Sequence, residues 1–345
     1  MEWNKSKDVL ALIVGHGKSL DGTWDPGCTY GNNTEAALML PIVKWAAKWL
    51  RKSGVKVITD ADTKNDKNMK ASVAMANQKG ADLYISVHCD YSGATSGIMF
   101  YYGDKTDKKC GDTIAKYLAK KLSMKNKGGK KDLAKFEINS PRPPSIILET
   151  GCIKTNQQKL KAYKVYGKAL AMAICKYIGV PIYVSNRTRL CRKALELIAY
   201  MNAHHFKYNH SYAVCGTSWK RAKKTHRCNC HLLWNFALQE LGFLKPGQIF
   251  WINGTKIVCK GKGTKAKVKK IFKITHPKKS PAKLKLKKGA ICGYSNAAHT
   301  QGFYSMKSKK AYWVSWGPSD VGKKQPRHRA KVYDTKPIAT VMNLK

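Results

Sequence analysis

Apolar residues along this 345-residue chain arrive first in short unbroken runs and then at helical spacing. Val9–Val14 is a continuous run of the kind a strand buried on both faces presents. Asn33 or Thr34 then caps a helix that reaches about Lys52, its apolar face built from Leu38, Ile42, Trp45, Trp49 and Leu50. Pro41 lies inside that pattern, so the first turn is irregular or the helix bends there. Gly54 ends it, and Val55–Thr59 reads as the next strand. Met69–Lys79 is helical and stops at Gly80. Leu83–Val87 is a second buried-type run, Gly97–Tyr102 a strand, and Asp107–Leu122 an amphipathic helix. Lys125–Lys131 reads as a basic, glycine-containing loop, Ser145–Leu148 as a strand and Gln158–Ile178 as a helix. This alternation predicts an α/β layer fold, a mostly parallel sheet flanked by helices.

The pattern changes after Gly179–Asn186, where Pro181 restricts the chain and the composition turns basic. The expected organisation is a first domain over 1–180, a linker over 181–189 and a second domain over 190–345. Arg189–His204 and Cys230–Leu241 read as helices, the latter stopped by Gly242 and Pro246. Lys256–Lys288 alternates lysine with short apolar residues, as edge strands with solvated faces do. Gly289–Tyr294, Gln301–Tyr304 and Ala311–Trp316 read as strands of a small sheet, giving an α+β arrangement.

Charge sharpens the division. The chain carries +45 in all. Residues 1–180 hold 30 Lys/Arg against 16 Asp/Glu, whereas 181–345 hold 35 against 4. A field of that size favours a polyanionic partner: nucleic acid, anionic lipid or an anionic wall polymer. The 11 cysteines follow no repeating frame, and several fall in core runs (Cys175, Cys292), so they read as reduced thiols. The first apolar stretch is too short for a secretory signal and no run approaches the ~20 residues of a membrane span. The expectation is therefore a protein made in a cytoplasm, without a signal peptide or transmembrane segment.

The candidate chemistry sits at strand ends. VGHG at Val14–Gly17 closes the first run and brings His16. The second run ends in His88, and Ser145–Leu148 ends in Glu149. Open α/β folds place their chemistry at this edge of the sheet. With Glu35 at the start of the first long helix, the set is two histidines, a carboxylate ligand and a spare carboxylate. That is the composition of a hydrolytic zinc centre with an open coordination position.

In order, Gly15-His16-Gly17, Glu35, Ser86-Val87-His88 and Leu148-Glu149-Thr150-Gly151 resemble the zinc-dependent N-acetylmuramoyl-L-alanine amidase family over residues 9–178. The resemblance implies Zn²⁺ held by His16, Glu35 and His88, with Glu149 as the catalytic carboxylate. It implies cleavage of the amide between muramic acid's lactyl group and L-alanine in peptidoglycan. Gly27 falls where the family has a small residue, and Asp90 stands where its usual residue is Asn. Chemistry agrees: two neutral imidazoles and one carboxylate leave net positive charge on zinc, which acidifies its water and polarises a carbonyl, and a nearby carboxylate shuttles the proton.

In the second half, Arg227-Cys228-Asn229-Cys230 leads into a helix and His299 follows in a strand. A cysteine at a helix N-terminus has a depressed thiolate pKa, and a base from a sheet completes it. This region resembles the papain-like NlpC/P60 and CHAP cell-wall peptidases. The resemblance implies Cys230 as nucleophile and His299 as base, although Ala290 stands where the family usually has Asp. Ser315 is the preferred orienting residue, with Asp320 the alternative. Two rivals stay open. One is a non-catalytic wall-binding module. The other is a zinc-knuckle-like cluster of His226, Cys228, Cys230 and His231 in a nucleic-acid binder. Trp219, Trp234, Trp251, Trp313 and Trp316 fit either a core or a sugar-stacking groove. The combined expectation is a phage-endolysin-like peptidoglycan hydrolase, with a zinc amidase before a papain-like α+β domain. It would be released through a membrane pore, bind wall polymers such as teichoic acids, and meet nucleic acid only non-specifically.

Overall fold

The computed structural model describes residues 3–19, 21–63, 68–91, 97–294, 297–307, 310–328 and 338–345, with the backbone alone at 297–299. The chain divides into two units, Met1–Tyr183 and Val184–Lys345.

The first unit is built on six strands. They are β1 (Val9–Val14), β2 (Lys56–Ile58), β3 (Leu83–Asp90), β4 (Gly97–Tyr102), β5 (Lys125–Lys131) and β6 (Ser145–Cys152). They lie in the order β2-β1-β3-β6-β4-β5. All neighbours are parallel except β6 and β4, which run antiparallel. The sheet is therefore mixed but mostly parallel. Its central strands are buried on both faces, which is why Val9–Val14 and Leu83–Val87 read as unbroken apolar runs. Leu10, Leu12, Val87, Cys89, Ile146 and Leu148 face the main core beneath the helices α1 (Glu35–Lys52), α3 (Lys105–Leu122) and α6 (Tyr163–Tyr177). Ala11, Ile13 and Tyr84 face the other way, against α2 (Met69–Gln78).

The start of α1 is fixed by Thr34, whose hydroxyl accepts from the Ala37 amide at 3.2 Å. Pro41 lies within the helix without ending it. Two expectations fail in this unit. Lys125–Lys131 is an edge strand rather than a loop. Its backbone pairs with β4 while its lysines stand in solvent, a charge pattern that also protects a sheet edge from further pairing. The expected helix over Gln158–Ile178 is two: α5 (Gln157–Lys161) and α6, separated at Ala162, whose ψ of 46° leaves the helical region. The four-residue α4 (Phe136–Asn139) lies between β5 and β6.

The second unit opens with α7 (Asn186–Ala203), followed by α8 (Tyr212–Cys215), α9 (Trp219–Thr225) and α10 (Cys230–Glu240). A hairpin of β7 (Ile249–Asn253) and β8 (Lys256–Lys260) precedes α11 (Thr264–Ile271). The main sheet is antiparallel, in the order β9-β14-β10-β11-β12-β13. Its strands are β9 (Phe272–Thr275), β10 (Ile291–Tyr294), β11 (Ala297–Lys307), β12 (Lys310–Val314), β13 (Arg327–His328) and β14 (Ile338–Leu344). The lysine-rich run expected as edge strands thus contains a helix. Thr264 and Val268, four apart, are its buried positions, and the lysines between them occupy the solvated faces. Trp234 of α10 lies against β11: a Cβ at Gly302 would sit 2.1 Å from its ring. The unit has an α+β composition.

Candidate metal centre

His16, Glu35 and His88 offer donor atoms that all lie within 4.8 Å of one another. Three elements deliver them: the turn after β1, the first turn of α1, and β3. Asp60 anchors the end of β1, both its oxygens accepting from the Val14 amide (2.9 and 3.2 Å) and one from Ser72 Oγ at 3.0 Å. Gly15 leaves room for the second imidazole, since a Cβ there would lie 1.7 Å from the His88 ring. Gly27, at φ +66°, plays the same part for the first: a Cβ would meet His16 and Glu35 at 2.6–2.8 Å. The two rings meet edge to face with centroids 4.9 Å apart.

Each histidine has one nitrogen held by its own carboxylate and the other turned to Glu35. His16 Nδ1 lies 2.9 Å from Asp25 Oδ2, and its Nε2 is 3.4 Å from Glu35 Oε2. His88 Nε2 lies 2.8 Å from Glu137 Oε2, and its Nδ1 is 2.9 Å from Glu35 Oε1. Carboxylates behind metal-binding histidines fix the tautomer and raise ligand basicity. Burial alone would raise the Glu35 carboxyl, but its hydrogen bond to His88 and the charges of His88 and His16 overrule burial and hold it at about 2. Burial likewise works against a charged His88, yet the buried Glu137 and Glu35 carboxylates hold its pKa well above the ordinary value. A pair of imidazoles and a carboxylate so arranged fits a borderline divalent cation such as Zn²⁺.

Glu149 pairs with His88 across β6 and β3, so the two side chains rise from the same face. Its Oε2 is buried and accepts no hydrogen bond among the described residues. Burial, together with the charges of Glu35 and Asp90, raises this carboxyl to about 7 against the opposing pull of His88. These side chains line a cleft of about 460 Å³ with Asp90, Tyr91, Tyr101, Lys135 and Phe136 at its walls. Sequence reasoning missed Asp25, Asp60 and Glu137. Asp25 carried a local signal in its Asp-Pro-Gly turn, where its other oxygen accepts from the Gly27 amide at 3.0 Å. Glu137 carried none, because α4 reaches His88 from 49 residues away.

In the second unit, Asn229 caps α10, its side chain accepting from the His231 and Leu232 amides at 3.1 and 2.9 Å. Cys230 is the first helical residue and is 1% exposed. The neighbouring His231 ring meets Thr300, so β11 approaches the start of α10 next to His299. The His299 side chain lies outside the described atoms. The Cys230 thiol is not depressed as expected: burial raises it more than the Thr300 amide and the Tyr208 hydroxyl, 3.7 Å away, lower it. Ser315 and Asp320 are bonded to each other at 2.8 Å, and Asp320 also binds Arg327.

The knuckle reading fails. Among the described residues no three-donor group joins His226, Cys228, Cys230 and His231. The His226 ring stacks on Phe206, and His231 Nδ1 lies 2.6 Å from Thr300 Oγ1. Trp219, Trp234, Trp313 and Trp316 belong to the core, not to a surface groove. No helix among the described residues is long and apolar enough to cross a membrane.

Residues 10–179 match the family model described as N-acetylmuramoyl-L-alanine amidase. No curated protein matches the chain. Among solved structures, the amidase AmiC2 of Nostoc punctiforme is 23% identical, with 51% of this chain and 98% of that one covered and a TM-score of 0.45. The catalytic domain of CwlV from Bacillus (Paenibacillus) polymyxa var. colistinus is 20% identical over 51% and 100%, with a TM-score of 0.45. Cwp6 from Clostridium difficile is 26% identical over 50% and 29%, with a TM-score of 0.44. By the family match, the first unit of this chain carries a domain of the N-acetylmuramoyl-L-alanine amidase family.

Proposed function

We propose that the first unit hydrolyses the amide between N-acetylmuramic acid and L-alanine in peptidoglycan, with Zn²⁺ held by His16, Glu35 and His88. The observation that carries this reading is the pair of imidazoles, each backed by its own carboxylate and both aimed at Glu35, beside a carboxyl with an unpartnered oxygen. Zinc there would supply Lewis acidity to the scissile carbonyl and an acidified water. Asp25 and Glu137 hold the imidazoles in the tautomers that leave His16 Nε2 and His88 Nδ1 free for coordination. Glu149 accepts a proton from the attacking water on its free oxygen and returns it to the departing amine, a task suited to a carboxyl raised to about 7. Tyr91 and Tyr101 in the cleft walls offer aromatic faces to the glycan or the stem peptide.

Mass spectrometry of purified peptidoglycan after digestion tests this. The expected products are stem peptides with free L-alanine amino groups. Glu149→Gln should keep its zinc and lose turnover by orders of magnitude, because an amide cannot carry the proton. Zinc-loaded wild type that frees no such amino groups would refute the assignment.

For the second unit we propose a papain-like cysteine endopeptidase on wall peptides, with Cys230 as nucleophile, His299 as base and Ser315, whose hydroxyl donates to Asp320, as the orienting residue. The contact of Thr300 with His231 supports this reading, because it brings the strand bearing His299 to the start of α10, where Cys230 lies. Cys230→Ser should remove endopeptidic muropeptides and spare the amidase products. Identical muropeptides from that variant would make the unit a basic wall-binding module instead. Together the two units would act as an endolysin-like enzyme that reaches the wall after release through a membrane pore.

A further inference from the structure

Two cysteines that the proposed hydrolysis does not use stand on the other flank of Glu35. Cys89 follows His88 on β3, so the pleat sends its side chain to the opposite face of the sheet, into the core beneath α1. Cys28 lies in the turn that carries Asp25 and Gly27 towards α1. Its amide donates to Glu35 Oε2 at 3.1 Å, its carbonyl accepts from the Glu35 amide at 2.9 Å, and its thiol donates to the Cys89 carbonyl at 3.2 Å. The Cys89 amide in turn donates to Glu35 Oε1 at 2.9 Å. Both cysteines are thus locked to the same carboxylate through backbone groups.

The two sulfurs and a Glu35 oxygen all lie within 4.8 Å of one another, the same limit met by His16, Glu35 and His88. Glu35 is the only residue common to the two sets. It therefore offers its carboxylate both to nitrogen donors and to sulfur donors. Cys28 is half-buried and lines the cleft together with the buried Cys89. No disulfide joins the two.

We propose that Cys28, Cys89 and Glu35 form a second cation site beside the histidine site, selective for borderline or soft divalent ions such as zinc and cadmium. Thiolates select such ions over magnesium or calcium, and Zn–S bonds of about 2.3 Å can bridge two sulfurs at this separation with a small inward movement. Binding displaces the two thiol protons to solvent, and no electron is exchanged. Because Glu35 is shared and has two oxygens, both ions bind at once, and the ion on the sulfur side withdraws carboxylate charge from the nitrogen site. Excess zinc should then inhibit the hydrolase, and loss of the sulfurs should relieve that inhibition. The sulfur donors and their geometry do not depend on the amidase reading. Only the inhibition rests on it.

The test is a cadmium titration of the metal-free, full-length protein kept reduced with a phosphine. Wild type should take up two equivalents, one of them with an ultraviolet thiolate-to-cadmium charge-transfer band. Cys28→Ser should lose that band while keeping the other equivalent, and it is the safer variant because Cys28 is only half-buried. C28S/C89S should behave alike. His88→Ala should do the reverse, keeping the band and losing the other equivalent. A wild-type titration with no thiolate band would overturn the proposal, as would a band of undiminished strength in Cys28→Ser. Failure of the amidase assay alone would leave these spectra, and hence this site, unaffected.

Discussion

Glu137 touches three side chains that alternate along one face of β3. It accepts from the Tyr84 hydroxyl at 2.8 Å and the Ser86 hydroxyl at 2.6 Å, and it faces His88 Nε2 at 2.8 Å. Tyr84, Ser86 and Glu137 are all buried, so none of these groups has water as a substitute. Glu137→Ala is therefore expected to free the His88 ring to turn and to weaken zinc binding by roughly 10- to 100-fold. Competition against a chelator of known affinity measures this. Wild-type affinity in the variant would mean that Ser86, 2.9 Å from the same nitrogen, suffices to orient the ring.

At the scale of elements, legibility followed how locally each feature is encoded. The strands that lead into His16 and carry His88 and Glu149 announce themselves as apolar runs, and Asn33 or Thr34 announces α1, so the positions that converge on one edge of the sheet could be read from the chain. Lys125–Lys131 could not: only its hydrogen bonds to β4 make it a strand, and its lysines hide them. Thr264–Ile271 was misread for the converse reason, since lysine at every other place mimics an alternating strand while burial falls four residues apart. Asn235 shows how α10 is fixed to the hairpin beside it. Its side chain donates to the His231 and Phe250 carbonyls at 2.8 and 2.7 Å and accepts from the Phe250 amide at 2.8 Å. Asn235→Ala would leave the Phe250 amide and carbonyl buried without these partners, at about 1–3 kcal/mol for each group. Urea unfolding followed by tryptophan fluorescence should show the loss, and an unchanged midpoint would mean that other groups take over both bonds.

For the whole molecule, charge predicts the class of partner. The 35 basic against 4 acidic residues over 181–345 predict that the full chain binds walls rich in phosphate polymers such as teichoic acids. It should detach as salt rises, because the screening length falls from about 10 Å at 0.1 M to about 3 Å at 1 M. Equal pull-down at both salt concentrations, or after the polymer is stripped from the wall, would point to recognition of neutral glycan. DNA belongs in the same assay, since its phosphates would be held non-specifically by the same field.

The proposed amidase chemistry requires a metal held by nitrogen and oxygen at the edge of the first sheet. Zinc K-edge X-ray absorption on the full-length protein loaded with one equivalent reads that coordination directly. The expected first shell is nitrogen and oxygen alone at about 2.0–2.1 Å, with the outer-shell scattering of two imidazoles. A sulfur shell at about 2.3 Å in that singly loaded sample would place zinc on the cysteines first and contradict it.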